Sequence, residues 1–259
     1  MARAPEPAAH ALAGHSWTGL RDALAGAGGR AVALLPVGST EPHGPHLPLL
    51  TDVLISEETA RRAASRLAAR GVTALVLPPI AYSVTDFSKG FAGSIGLTRA
   101  TTQSLVEEIS RSCLAQGFAA VCLVNSHLEP EHLSALREAA ARVSTEMGRP
   151  VVFPDKTQRR WAAALTEEFR SGACHAGRYE TSLVLASRPD LVNEASRASL
   201  PPNPISIGRK IKEGAKSFLE AGGDQAYFGD PAAASREEGE SSFEALAAMI
   251  ETAVLEATA

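Results

Sequence analysis

The stretch Ala31–Val37 contains no charged or polar side chain. As a strand, such a run is satisfied only where both faces are covered, which points to a parallel sheet between two helical layers. Apolar runs recur at 72–77, 118–124 and, more briefly, 151–153. Amphipathic stretches at about 53–70, 99–116 and 130–147 separate them. Gly71 and Gly117 stop the first two, and Pro130 suits the first turn of the third. This alternation predicts an α/β fold, a three-layer α/β/α arrangement with a mainly parallel central sheet. Beyond residue 154 the pattern loosens: helices are expected near 159–170 and 179–187, mostly loop over 199–231, and a last helix at about 236–256. The 259 residues read as one domain, with 1–15 a flexible leader that lacks the apolar run of a secretion signal.

The formal net charge of −4 argues against nucleic acid and against an anionic membrane surface, both of which need a basic face. No segment approaches the roughly 20 apolar residues of a membrane span. Cys113, Cys122 and Cys174 are odd in number and widely spaced, so no disulfide framework or cysteine-based zinc motif can be drawn. A cytoplasmic location is expected.

Two clusters carry the chemistry. Glu41, His43 and His46 follow the first strand, with Asp52 shortly beyond; His127 and Glu129 follow the third. Both clusters fall just past carboxyl ends of parallel strands, where open α/β sheets place ligands. In each, a glutamate and a histidine stand two residues apart, which in extended backbone points both side chains to one side. Carboxylates and imidazoles converging there suit zinc, manganese or iron. With one carboxylate bridging, the set can hold two ions about 3.5–4 Å apart, as in many hydrolases. There is no phosphate-binding P-loop and no Gly-x-Ser-x-Gly nucleophile elbow.

These residues resemble the creatininase (creatinine amidohydrolase) family. The segment Pro36-Val37-Gly38-Ser39-Thr40-Glu41-Pro42-His43-Gly44-Pro45-His46-Leu47-Pro48 is similar to the signature PVGSTEQHGPHLP, and Thr51-Asp52 matches the Thr-Asp pair that follows it. Asn125-Ser126-His127 resembles a second signature, His175-Ala176-Gly177-Arg178-Tyr179-Glu180-Thr181-Ser182 a third, and Gly229-Asp230-Pro231 the C-terminal segment. The resemblance implies two divalent ions, zinc first with manganese or iron as alternatives. Glu41 and His127 would bind one ion, His43 and Glu129 the other, and Asp52 would bridge. It implies His175 as proton donor to a leaving nitrogen, Glu180 as its orienting partner or a further ligand, and His46 as support for the ligands. It also implies a homo-oligomer, commonly a hexamer.

The departures lie in the substrate walls. Leu128 stands where creatinine-cleaving members have a tyrosine, Cys174 where they have an acidic residue, and Pro42 where glutamine is usual. Phe91-Ala92-Gly93-Ser94 keeps the core of a family loop, which assigns Ser94 with Leu128 and Cys174 to the substrate. Phe87 and Ser88 replace a Glu-His pair, and Trp161 is assigned to the core or a lid. Creatinine fits these walls poorly. The expected activity is attack of a metal-activated water on an amide, cyclic amide or formamide of a small molecule or short modified peptide. Ring-opening of a cyclic ketone or lactone, and a metal-stabilised scaffold without catalysis, are the alternatives.

Overall fold

A computed structural model describes residues 10–259. Its strands are β1 (Ala31–Val37), β2 (Thr73–Val76), β3 (Ala120–Asn125) and β4 (Val151–Val152), in the order β2-β1-β3-β4. Every pair is parallel, with Ala31 opposite Thr73, Val37 opposite Asn125 and Val121 opposite Val151. The long helices are α1 (Trp17–Gly26), α2 (Thr51–Ala68), α3 (Arg99–Ala115), α4 (Pro130–Met147), α7 (Arg178–Ser187) and α11 (Arg236–Ala257). Shorter ones are α5 (Arg159–Ala162), α6 (Glu167–Ser171), α8 (Glu194–Ser199), α9 (Ile207–Lys212) and α10 (Phe218–Ala221).

β1 shows why three layers form. Val32 and Leu34 enter one core with α2, α7 and α11, through Ile55, Leu67, Leu183, Phe243 and Ile250. Ala31, Ala33, Leu35 and Val37 enter the opposite core with α3 and α4, through Val106, Leu114, Leu136 and Val143, and Leu20 and Leu24 of α1 pack against it. Period-two alternation thus feeds two apolar cores from one strand. Burying Leu34 or Leu35 contributes about 1.5–3 kcal/mol each.

The chain leaves β1 towards β2 on one side and returns to β3 on the other. The carboxyl ends of β1 and β3 therefore flank the switch point of the sheet, the crevice in which such folds bind ligands. No helix among the described residues is long and apolar enough to cross a membrane.

Four sequence expectations change. Of the leader, residues 1–9 lie outside the described residues, but 10–15 are built into the fold: Ala11 bridges to Val76, and Val76 N–H donates to the His10 carbonyl at 2.7 Å. α1 was not anticipated; the Ser16 hydroxyl caps it by accepting from Gly19 N at 3.1 Å, while Gly19 and Gly26 weaken its helical composition. The single helix expected at 159–170 is two, α5 and α6, because Thr166 turns outward to cap α6 by accepting from Phe169 N. The 199–231 stretch holds α9 and α10, each capped by a serine side chain, Ser206 and Ser217.

Candidate metal centre

The turn after β1 brings Glu41 and His43 under the first turn of α2. That helix begins at Thr51, two residues before the expected start, so Asp52 sits where a helix N-terminus favours a carboxylate. Gly38 permits the approach: an added Cβ would lie 2.7 Å from Val53 N and 2.9 Å from Asp52 Cβ. Gly38→Ala is expected to destabilise the fold by about 1–3 kcal/mol, the usual penalty of overpacking. An unchanged midpoint in urea unfolding would contradict this packing.

Three imidazoles share one arrangement. His43 donates from Nδ1 to the Glu41 carbonyl at 3.1 Å, His127 from Nε2 to the Val84 carbonyl at 2.7 Å, and His175 from Nε2 to the Pro42 carbonyl at 3.1 Å. A carbonyl can only accept, so that nitrogen carries the proton in each neutral ring, and the other ring nitrogen faces the centre, where a cation could replace any proton it holds. His127 Nδ1 lies 3.1 Å from Glu41 Oε1 and 3.1 Å from Asp52 Oδ2. His43 Nε2 lies 3.4 Å from Asp52 Oδ1, 3.7 Å from Glu180 Oε2 and 4.0 Å from Glu41 Oε1. His175 Nδ1 lies 4.0 Å from Glu41 Oε1, and its ring is sandwiched between His43 and Phe218 with centroids at 4.4 and 4.3 Å.

Glu41, Asp52, Glu129 and Glu180 are all buried, yet among the described residues none has a lysine or arginine within 4.0 Å. Among the described residues, His43 Nε2 and Asp52 Oδ2 have no partner at hydrogen-bond geometry, close as His127 Nδ1 stands to the latter. Four buried carboxylates without a lysine or arginine pair, beside imidazoles whose inner nitrogens face them, are a donor set that a divalent cation would satisfy. The groups close enough to share an ion are Glu41, His127 and Glu129; His43, Asp52 and Glu180; and Glu41, His43 and His175. Glu129 therefore stands with Glu41 and His127, not with His43 as the family resemblance implied. Glu180 takes the place beside His43, because α7 starts at Arg178 and its first turn faces Asp52.

The site's electrostatics follow from this crowding. Burial opposes charge on His43, but the Asp52, Glu180 and Glu41 carboxylates lift it to about 10. Burial likewise opposes charge on His127, and Glu41 and Asp52 raise it well above the ordinary histidine value. Burial would raise Asp52, yet the two imidazoles hold it well below the usual carboxylate range. Glu41 is also lowered, by His127 against the effect of burial. Burial, with Asp52 adding repulsion, pushes Glu180 up to about 7, and burial raises Glu129. His175 moves the other way, down to about 4, through burial and the neighbouring charge of His43.

A cavity of about 270 Å³ opens onto these groups. Leu128 and Cys174 are among its lining residues, together with Ser126, Phe87, Phe169, Ile207, Ile211 and Phe218. Ser94 is elsewhere: its hydroxyl bonds Ser88 Oγ at 2.6 Å, Ser88 bonds Thr85 Oγ1 at 2.7 Å, and Thr85 donates to Glu41 Oε2. It backs the centre through a hydroxyl relay and does not reach the cavity wall. His46 also stands behind, bonded to Thr181 Oγ1 at 2.9 Å. Trp161 packs half-buried against the core, under the Arg160 guanidinium.

Two supports escaped the sequence. The backbone N–H groups of Asp86 and Phe87 donate to Glu129 at 3.0 and 3.3 Å, tying it to the loop that also carries Thr85. Glu168 of α6 accepts from Tyr179 N and Asp230 N, both at 2.8 Å, and so staples the start of α7 to the Gly229-Asp230 turn. Ala176, between His175 and that staple, sits at φ 51°, a left-handed conformation that costs a non-glycine residue about 1–3 kcal/mol. Its N–H donates to Glu180 Oε2 at 2.7 Å, which fixes the carboxylate that faces His43.

Known proteins resemble this chain in sequence and in fold. The creatininase (creatinine amidohydrolase) family pattern matches residues 14–254. A mycofactocin precursor peptide peptidase of Mycolicibacterium smegmatis is 32% identical over 220 residues, 82% of this chain and 79% of that protein. A creatinine amidohydrolase of Pseudomonas putida is 30% identical over 192 residues, 68% of this chain and 72% of that protein. The crystal structure of a creatinine amidohydrolase superposes with a TM-score of 0.71 at 25% identity, covering 95% of this chain and 97% of that one. The relatives are hydrolases with different substrates, the fold is shared over nearly the whole chain, and the chain belongs to the creatininase family.

Proposed function

We propose that the chain hydrolyses a C–N bond in an amide, cyclic amide or formamide of a small molecule or short modified peptide, with two divalent cations as cofactors. The observation that carries this reading is the set of three imidazoles, each held through one ring nitrogen by a main-chain carbonyl and each turning its other nitrogen towards buried carboxylates that, among the described residues, have no lysine or arginine within 4.0 Å. Glu41, His127 and Glu129 would hold one ion and His43, Asp52 and Glu180 the other, with Asp52 near enough to both histidines to serve each site. Nitrogen and oxygen donors of this kind suit zinc or manganese. Bound there, such ions supply Lewis acidity towards a carbonyl oxygen and lower the pKa of water to near neutrality.

The chain's own groups do the rest. His175 is neutral at physiological pH, and its Nδ1 lone pair faces Glu41 across the mouth of the centre. It can take the proton that water releases on attacking the carbonyl carbon, then return it to the nitrogen as the C–N bond breaks. The Pro42 carbonyl keeps the ring from turning away. Leu128, Phe87, Phe169 and Phe218 keep bulk water from the reacting bond. Leu128 and Cys174 offer neither a tyrosine hydroxyl nor a carboxylate to creatinine, which favours a different amide.

Metal binding should be proton-coupled. The metal-free His43, raised to about 10, carries a proton at pH 7–9 that a bound cation must displace. Affinity is therefore expected to rise with pH across that range and to fall as the pH drops. Calorimetry in buffers of different ionisation enthalpy should show at least one proton released per chain; zero release would contradict a protonated His43.

The function itself is tested by chelating the protein, reloading it with zinc or manganese, and assaying amides, lactones and cyclic ketones. Turnover of amides by the reloaded protein alone is expected. Turnover confined to ketones or lactones, or none with both ions bound, would overturn the amide reading.

A further inference from the structure

Among the described residues Arg170 is the one arginine or lysine in the cavity wall. It lies on α6, next to Phe169, and its Nη1 donates to the Leu165 carbonyl at 2.6 Å. That bond anchors one edge of the guanidinium. Among the described residues no carboxylate lies within ion-pair distance of it, whereas Arg62, Arg66, Arg137 and Arg197 each have one. The surface beside it is also basic: the 207–216 segment carries Arg209, Lys210, Lys212 and Lys216 against Glu213 alone, in a chain whose net charge is −4. Ile207 and Ile211 of that segment point into the cavity, and Gly208 N–H donates to the Gly172 carbonyl, so the basic helix α9 is docked at the rim beside α6.

The cavity thus has three zones: a carboxylate-rich floor suited to cations, apolar walls, and an unpaired guanidinium near a positive rim. Resting on the amide-hydrolase reading above, we propose that Arg170 recognises a carboxylate on the substrate, separated from the scissile amide by an apolar group. The substrate class is an N-acyl amino acid or the free C-terminal end of a short peptide with a large apolar residue. The cavity, at about 270 Å³, falls just under the roughly 300–1,000 Å³ of pockets that enclose drug-sized ligands, so only the terminal part of a peptide would enter. A guanidinium anchored through one nitrogen still offers further donors to a planar carboxylate.

The test uses metal-loaded full-length protein with N-acetyl-leucyl-phenylalanine and its C-terminal amide. The wild type is expected to favour the free acid about 10-fold or more in kcat/KM, mainly through KM, the effect of one hydrogen-bonded charge pair. Arg170→Gln keeps a donor for the Leu165 carbonyl but removes the charge, and should bring the acid-to-amide ratio near one. Arg170→Lys should restore part of it. A wild-type ratio near one, or a preference that survives in Arg170→Gln, overturns the proposal while leaving amide hydrolysis intact. If neither compound is turned over, calorimetric binding decides: acid-selective binding lost in Arg170→Gln supports the carboxylate site while the hydrolase reading fails, and equal or absent binding of both overturns it.

Discussion

Asp52→Asn is expected to abolish tight binding of both cations and to lower hydrolytic activity by at least about 10²–10³-fold, the loss that follows deletion of a single electrostatic stabiliser. Asp52 is within 3.4 Å of His43 and 3.1 Å of His127, which belong to different triads of the centre. Among the described residues no other carboxylate approaches a histidine of each triad so closely. Asparagine keeps the shape of the first turn of α2, so the fold should survive and the loss should appear in metal content. Glu129→Gln makes the comparison informative, because Glu129 stands with the Glu41/His127 group alone. It should weaken one ion and spare the other. Equal loss of both ions in Glu129→Gln, or retention of both in Asp52→Asn, would show that the two groups are not separate sites.

His175→Ala should leave the metal content unchanged and lower kcat by about 10²–10⁴-fold, the usual contribution of a positioned proton-transfer group. KM should move less, because the side chain is held by the Pro42 carbonyl and the Phe218 ring and faces Glu41 rather than the apolar walls. A proton-transfer role also predicts that the acid limb of the kcat/KM profile changes in the variant, and that substrates with better leaving nitrogens suffer less. Loss of one metal equivalent in His175→Ala would instead make His175 a ligand, with Glu41 and His43.

The sheet and the two ligand clusters were legible because each is written locally. A continuous apolar run such as Ala31–Val37 permits few structures, and a Glu-x-His pair at its carboxyl end can point in only a few directions. Asp52 was legible through the family resemblance. What escaped depends on helix starts and on long-range packing. Beginning α2 at Thr51 decides that Asp52 meets both histidines, and beginning α7 at Arg178 decides that Glu180, not Glu129, stands by His43. Ser94 was assigned to substrate from its motif, but a hydroxyl relay through Ser88 and Thr85 turns it towards Glu41. Arg170 lay inside what read as one continuous helix. The break at Thr166 precedes the short helix that carries Phe169 and Arg170 to the cavity, and it is set by a capping hydroxyl that competes with continued helix.

The most direct measurement is the number of divalent ions held per chain after chelation, reloading and removal of excess metal, read by elemental analysis. The geometry predicts two equivalents of zinc or manganese in the wild type and fewer than one in Asp52→Asn. Less than one equivalent in the wild type, or two in both proteins, would contradict the two-ion centre built on Glu41, His43, Asp52, His127, Glu129 and Glu180.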